Sequence, residues 1–137
     1  MIQVLGLDHI VIRTSKLEQM LEFYSDFLAC PIERKLEDSV GLIQLRAGTA
    51  LIDLVPLDSE LGKLGGGAPR QDGRNIDHFC LQIADLEEDI LLQALESRNI
   101  SHSGFAERYG AQGHGRSIYV NDPEGNVVEL KFELSGN

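Results

Sequence analysis

Apolar and polar positions alternate in "LDHIVIRT" (residues 7–14) and, later, in "IDHFCLQI" (residues 76–83), so both stretches predict strands. Each is followed by a helical pattern. In the first, Leu17, Met20, Leu21, Tyr24, Phe27 and Leu28 share one stripe; in the second, Leu86, Ile90, Leu91, Ala94 and Leu95 do. Ser15 to Glu18 and Asp85 to Glu88 resemble capping boxes. The first helix is expected to stop near Cys30-Pro31, and the second near Arg98-Asn99, where Asn suits a left-handed cap. Further strands are expected near residues 32–35, 40–47 and 50–54, and again near 103–109, 116–120 and 126–132. The "NDPEGN" stretch between the last two is hairpin chemistry.

The order of elements therefore occurs twice. A shift of 69 positions aligns His9 with His78, and also Leu7 with Ile76, Asp8 with Asp77, Ile12 with Leu81, Leu17 with Leu86 and Glu18 with Glu87. "GTALIDLV" matches "GNVVELKF" at a shift of 76, which aligns Asp53 with Glu129 and leaves an insertion in the glycine-rich "FAERYGAQGHGR" segment. The reading is an α+β fold of two tandem βαβββ modules with mixed sheets. The modules cover about residues 1–57 and 74–134 of a single domain over 1–137, joined by a flexible linker or lid at 58–73.

Strand parity sorts the side chains. Ile10/Ile12, Ile52/Leu54, Phe79/Leu81/Ile83 and Val128/Leu130/Phe132 form apolar sets that suit the helix-covered faces. The other faces then hold His9, Asp53, His78 and Glu129 in mid-strand. Imidazoles and carboxylates in half-apolar surroundings need compensation, and a divalent cation binds both types. The four residues are the candidate metal ligands, and Glu129 and Asp53 the candidate catalytic bases.

Charge narrows the partners. The chain of 137 residues carries a net charge of −10, which argues against nucleic acid. No stretch approaches the roughly 18 apolar residues of a membrane span, and "MIQVLGLDHI" lacks the features of a signal peptide, so a cytoplasmic location is expected. Cys30 and Cys80 are expected to be buried free thiols; by parity Cys80 shares the face of His78.

Together "LDHIVIRTSKLEQMLEFYSDFLACPIE", "ALIDLVPL", "IDHFCLQIADLEE" and "SIYVNDPEGNVVELKF" resemble the vicinal oxygen chelate superfamily: glyoxalases, bleomycin-resistance proteins and extradiol dioxygenases. The resemblance implies curled sheets around a metal, helices outside, and ligands on the first and last strands of each module. Those positions hold His9, Asp53, His78 and Glu129. Asp53 is one methylene shorter than the Glu or Gln frequent there, which shortens its reach.

The implied function is divalent-metal-dependent lyase or isomerase chemistry on a small substrate with vicinal oxygens, by proton transfer through an enediolate. The metal would be Zn, Ni, Mn, Co or Fe(II). The alternatives are an extradiol-type dioxygenase with a two-His-one-carboxylate iron site and a non-catalytic bleomycin-resistance-type binder. Tyr109, His114 and Arg116 in the glycine-rich segment, with Arg46, are candidate substrate contacts. Sheet edges and apolar helix flanks favour a homodimer.

Overall fold

A computed structural model describes residues 1–134; residues 135–137, the end of the expected domain, lie outside the described residues. The chain divides into two compact units, with the break between Arg70 and Gln71.

Unit 1 runs β1 (His9–Thr14), α1 (Leu17–Leu21), a π-helical segment (Glu22–Phe27), β2 (Ile32–Lys35), β3 (Ile43–Ala47), β4 (Ala50–Pro56) and α2 (Glu60–Lys63). Its four strands lie in the order β1-β4-β3-β2. β3 and β4 are joined by two residues, Gly48-Thr49, with Gly48 at φ 61°, a conformation that glycine adopts without strain. β1 and β4 are parallel, a pairing that needs a long crossover, and the helical segment supplies part of it. The first and last strands are thus neighbours, with Val11 in register with Asp53.

Unit 2 repeats this plan as β5 (Phe79–Ile83), α3 (Glu88–Ser97), β6 (Ala106–Gly110), β7 (Gly113–Asn121) and β8 (Val127–Phe132), in the order β5-β8-β7-β6. β5 and β8 are parallel, and Cys80 is in register with Glu129. Each unit is β-α-β-β-β with a four-stranded mixed sheet, an α+β architecture.

The apolar parity sets line the cores. Unit 1 buries Ile43, Leu45, Ile52 and Leu54 with Met20, Phe23 and Tyr24. Unit 2 buries Ile118, Val120, Val128 and Leu130 with Leu91 and Leu95. The first helix departs from the expected stripe. Leu28 N–H bonds to Phe23 O at 2.9 Å, a five-residue step that widens the turn and brings Phe23 into the core beside Tyr24. At its start Thr14 Oγ1 accepts the Lys16 N–H at 2.9 Å. Ala29 and Asn99 take the left-handed conformation as the chain leaves each helix. Ile90, expected on the covered stripe, is exposed.

Two loops differ from the sequence expectation, one held by strand pairing and one by side chains. Most of "FAERYGAQGHGR" is a hairpin, β6–β7 turning at Ala111-Gln112, since its glycines pair in register: Gly110 with Gly113 and Arg108 with Gly115. The start of the 58–73 segment forms α2, capped by Ser59, whose Oγ accepts the Gly62 N–H at 3.1 Å. Arg13 then grips the carbonyls of Gly62 (2.9 Å), Gly66 and Gly67 (3.1 Å), tying this stretch back to β1.

Candidate functional site

Residues paired across a ladder point to the same side, so the register assigns each polar face. In unit 1 that face carries His9 and Val11 (β1), Asp53 (β4), and Gln44 and Arg46 (β3). In unit 2 it carries Cys80 and Gln82 (β5), Glu129 and Lys131 (β8), Ser117 and Tyr119 (β7), and Arg108 (β6). His78, one residue before β5, joins this face by hydrogen bonding.

The clearest pair is His78 and Glu129. Nε2 and Oε1 lie 3.2 Å apart, with Glu129 only 6% exposed. On its other side, His78 Nδ1 lies 2.7 Å from Asp77 Oδ2. A carboxylate can only accept, so Asp77 favours the proton on Nδ1 and leaves a lone pair on Nε2, facing a carboxylate oxygen. Two lone pairs at this distance call for a positive centre, either a second proton or a cation. The separation also matches two adjacent ligands of one divalent ion, which lie about 3 Å apart when each bond is about 2.1 Å. Tyr119 packs its ring edge-on to the imidazole, with centroids 5.0 Å apart, and fixes its plane.

Unit 1 holds the same chemistry in looser form. His9 Nδ1 lies 2.6 Å from Asp8 Oδ1. That bond raises the His9 pKa, and the Asp53 charge adds to the rise against partial desolvation. Asp53 is 2% exposed. Its Oδ2 accepts from Gln44 Nε2 at 3.2 Å, and Arg34 steadies the other end of that amide at 3.1 Å. Asp53 Oδ1 is buried and has no partner, the only such side-chain oxygen or nitrogen among the described residues. An orphaned buried carboxylate oxygen is costly, and a cation relieves it. The donor set therefore fits a divalent ion: imidazole nitrogen and carboxylate oxygen in each unit. Among the described residues no group of three or more His, Cys, Asp or Glu side chains is placed to hold a metal ion.

The remaining candidates fall elsewhere. Tyr109, His114 and Arg116 lie on the opposite parity from Arg108, Gly115 and Ser117, hence on the helix side of the sheet. Arg116 confirms that direction with two bonds to Glu88 at the start of α3, at 2.8 and 3.1 Å. Tyr109 is 75% exposed and packs edge-on to His114. Arg46 does share the face of Asp53, but Glu33 holds it in a two-pronged pair at 2.9 and 2.8 Å. An open groove of unit 1, lined by Leu17, Leu36, Leu42, Ile43 and Pro56, contains none of the candidates.

Cys80 corrects the expectation of two buried thiols: Cys30 is buried and Cys80 is exposed. Even so, partial desolvation of the Cys80 thiol and the neighbouring Glu129 charge push its pKa up to about 11, so it stays protonated at neutral pH.

Three residues beyond the sequence-based set join the face of Glu129. Tyr119 orients His78. Arg108 donates to Ser117 O and Oγ at 2.7 and 3.0 Å and lies 4.2 Å from the Tyr119 ring centroid, bracing both. Lys131 is 5% exposed. Strand alternation alone places Lys131 with Glu129; nothing in the sequence signals its burial.

The placement of Arg116 carries a prediction. Its guanidinium holds the Glu88 carboxyl below the ordinary carboxylate range. A depressed carboxyl stabilises the fold above its unfolded pKa, and the benefit fades as pH falls through the folded value. Arg116→Ala should lower the melting temperature slightly at pH 7 and have no effect at pH 2 by circular dichroism. It should leave divalent-metal affinity within about twofold, as suits an exposed pair on the helix side.

Each βαβββ unit thus carries a histidine at its first strand and a buried carboxylate on its last, both on the polar sheet face. The sequence profile of the Glyoxalase/Bleomycin resistance protein/Dioxygenase superfamily matches residues 6–130, and the chain belongs to that superfamily. It is 27% identical over 124 residues to virulence protein STM3117 of Salmonella typhimurium, covering 90% of this chain and 81% of that one. An integron cassette protein from V. Cholerae shares the fold at a TM-score of 0.72 and 24% identity, covering 98% of this chain and 99% of that one. Lactoylglutathione lyase from Agrobacterium tumefaciens does so at 0.65 and 22%, with 94% of each chain covered.

Proposed function

We propose that the chain is a divalent-metal-dependent lyase or isomerase of the glyoxalase type, acting on a small substrate with two neighbouring oxygens. The recurrence in both units of an imidazole at the first strand and a buried carboxylate on the adjacent last strand carries this reading. Superfamily membership and the likeness to a lactoylglutathione lyase support it.

In unit 2, His78 and Glu129 would hold an ion, and His9 and Asp53 are the equivalent donors in unit 1. When bound, it supplies Lewis-acid polarisation of the substrate oxygens and so acidifies the adjacent C–H. The protein's part is then a proton transfer. Glu129 takes the proton from one carbon and returns it to its neighbour, a role for which a buried carboxylate is well suited. Asp77 and Tyr119 keep the His78 ring in place beside it, and Asp8 holds the His9 ring as Asp77 holds that of His78.

The test is a metal-by-substrate matrix. Protein stripped with a chelator and reloaded singly with Zn, Ni, Mn, Co or Fe(II) is assayed against the glutathione hemithioacetal of methylglyoxal. Metal-dependent isomerisation is expected. Turnover of catechols with O₂ and Fe(II), with no isomerisation, would replace this reading with the dioxygenase one. Absence of saturable metal binding would remove it.

A further inference from the structure

Lys131 poses a problem that the metal reading does not absorb. It lies on β8, two residues beyond Glu129 on the same face, and is 95% buried by its 5% exposure. Among the described residues no carboxylate lies within ion-pair distance of its ammonium and no hydrogen bond reaches it. Its stem is buried against the sheet while the ammonium has no protein partner to neutralise it, which leaves that charge available to an anion.

Its surroundings are built around it. The side chain runs over Gly110 and Gly115 of the β6–β7 hairpin. A Cβ on Gly110 would meet Lys131 Cδ and Cε at 3.2 Å, and one on Gly115 would meet Nζ at 2.9 Å. Neither glycine has the positive φ that would otherwise explain it. In register on either side stand Ser117, fully buried, and Gln82, exposed. Arg108, the other cation of this face, is already engaged by Ser117 and Tyr119. Asp53 Oδ1 is the only sealed and partnerless atom among the described residues, so Nζ itself keeps an opening.

We infer that Lys131 is an anion subsite on the polar face of β8, binding a monocarboxylate group of the substrate. A single ammonium matches a single negative charge. A phosphate dianion would be left with an uncompensated charge in a protein of net charge −10. Nζ lies against Gly115 and Gly110, beyond Ser117 and on the side away from Tyr119 and Glu129, so the carboxylate would be the remote end of a substrate whose oxygens are handled at His78 and Glu129. The assignment deepens the proposed function and rests on it for the second half of the substrate. The anion site itself is tested without metal.

The test is an NMR titration of chelator-stripped protein with acetate and, separately, with inorganic phosphate. Acetate should shift the amides of Gly110, Gly115 and Lys131 along one saturable curve. Lys131→Met should weaken that binding about tenfold or more, and Lys131→Arg by no more than about threefold. Gly115→Ala keeps the charge but crowds Nζ, and should weaken acetate as well; it decides the matter if the methionine variant does not fold. Acetate affinity equal in wild type, Lys131→Met and Gly115→Ala would overturn the assignment, as would no saturable shift in the wild type. Tighter binding of phosphate than acetate would overturn the carboxylate class. Divalent-metal affinity, measured on the same variants, should not change. Its absence in the wild type would remove the metal reading and leave the acetate result standing.

Discussion

Glu129→Gln should weaken divalent-metal binding by more than about 100-fold while leaving the fold intact. Removing a group that merely orients a ligand already costs about 10–100-fold, and Glu129 is assigned a direct role. The substitution keeps the shape of a side chain that is 6% exposed, so its packing survives. It removes the charge that faces His78 Nε2 at 3.2 Å. The amide still offers His78 an oxygen, and the imidazole keeps its bond to Asp77, so the ring does not swing away. Competition against a chromophoric chelator measures the affinity, and far-ultraviolet circular dichroism confirms the fold. His78→Ala should match it in affinity. Unchanged affinity in both variants would detach this pair from the metal.

Asp53→Asn should change stability in opposite directions with and without metal. In stripped protein the native carboxylate sits at 2% exposure with one oxygen unpartnered. Replacing that charge with a neutral amide should stabilise by about 1–2 kcal/mol, because a buried neutral group is far less costly than a buried ion. The bond from Gln44 survives, since the asparagine oxygen still accepts it. With metal at 100 times its dissociation constant the wild type gains about 2.7 kcal/mol, and the variant forfeits much of that gain. Melting curves recorded in chelator and in metal should therefore cross in rank. A variant that is less stable in both conditions would mean that Asp53 is structural, held for its bond to Gln44. Equal gains from metal in both proteins would mean that its short side chain stops short of the ion.

Much of this was legible in the sequence because period-two alternation is set by the backbone. The apolar sets Ile52/Leu54 and Val128/Leu130/Phe132 fall on the core side, opposite Asp53 and Glu129, as parity requires. The Asp-His step was visible twice, but its use was not: the aspartate accepts from the ring of its own neighbour, a matter of rotamer rather than pattern. Glycine content misled the reading of residues 105–116. Glycines there spare room for Lys131 within a paired hairpin, whereas the same composition unpaired would be a loose loop. Tyr109, His114 and Arg116 were grouped by closeness along the chain, yet alternation sends them to the helix side. The widened helical turn that brings Phe23 into the core has no signature in residue spacing.

The clasp formed by Arg13 bears on how the halves can be re-engineered. Because one guanidinium from the opening strand fastens the carbonyls of Gly62, Gly66 and Gly67, the stretch that composition marks as slack belongs to the first half as far as Gly67. The joint narrows to Ala68 and Pro69, ahead of the boundary at Gln71. Spacers, protease sites or a circular-permutation breakpoint belong there, whereas the same insertions a few residues earlier would prise open a lock that the first strand helped to close.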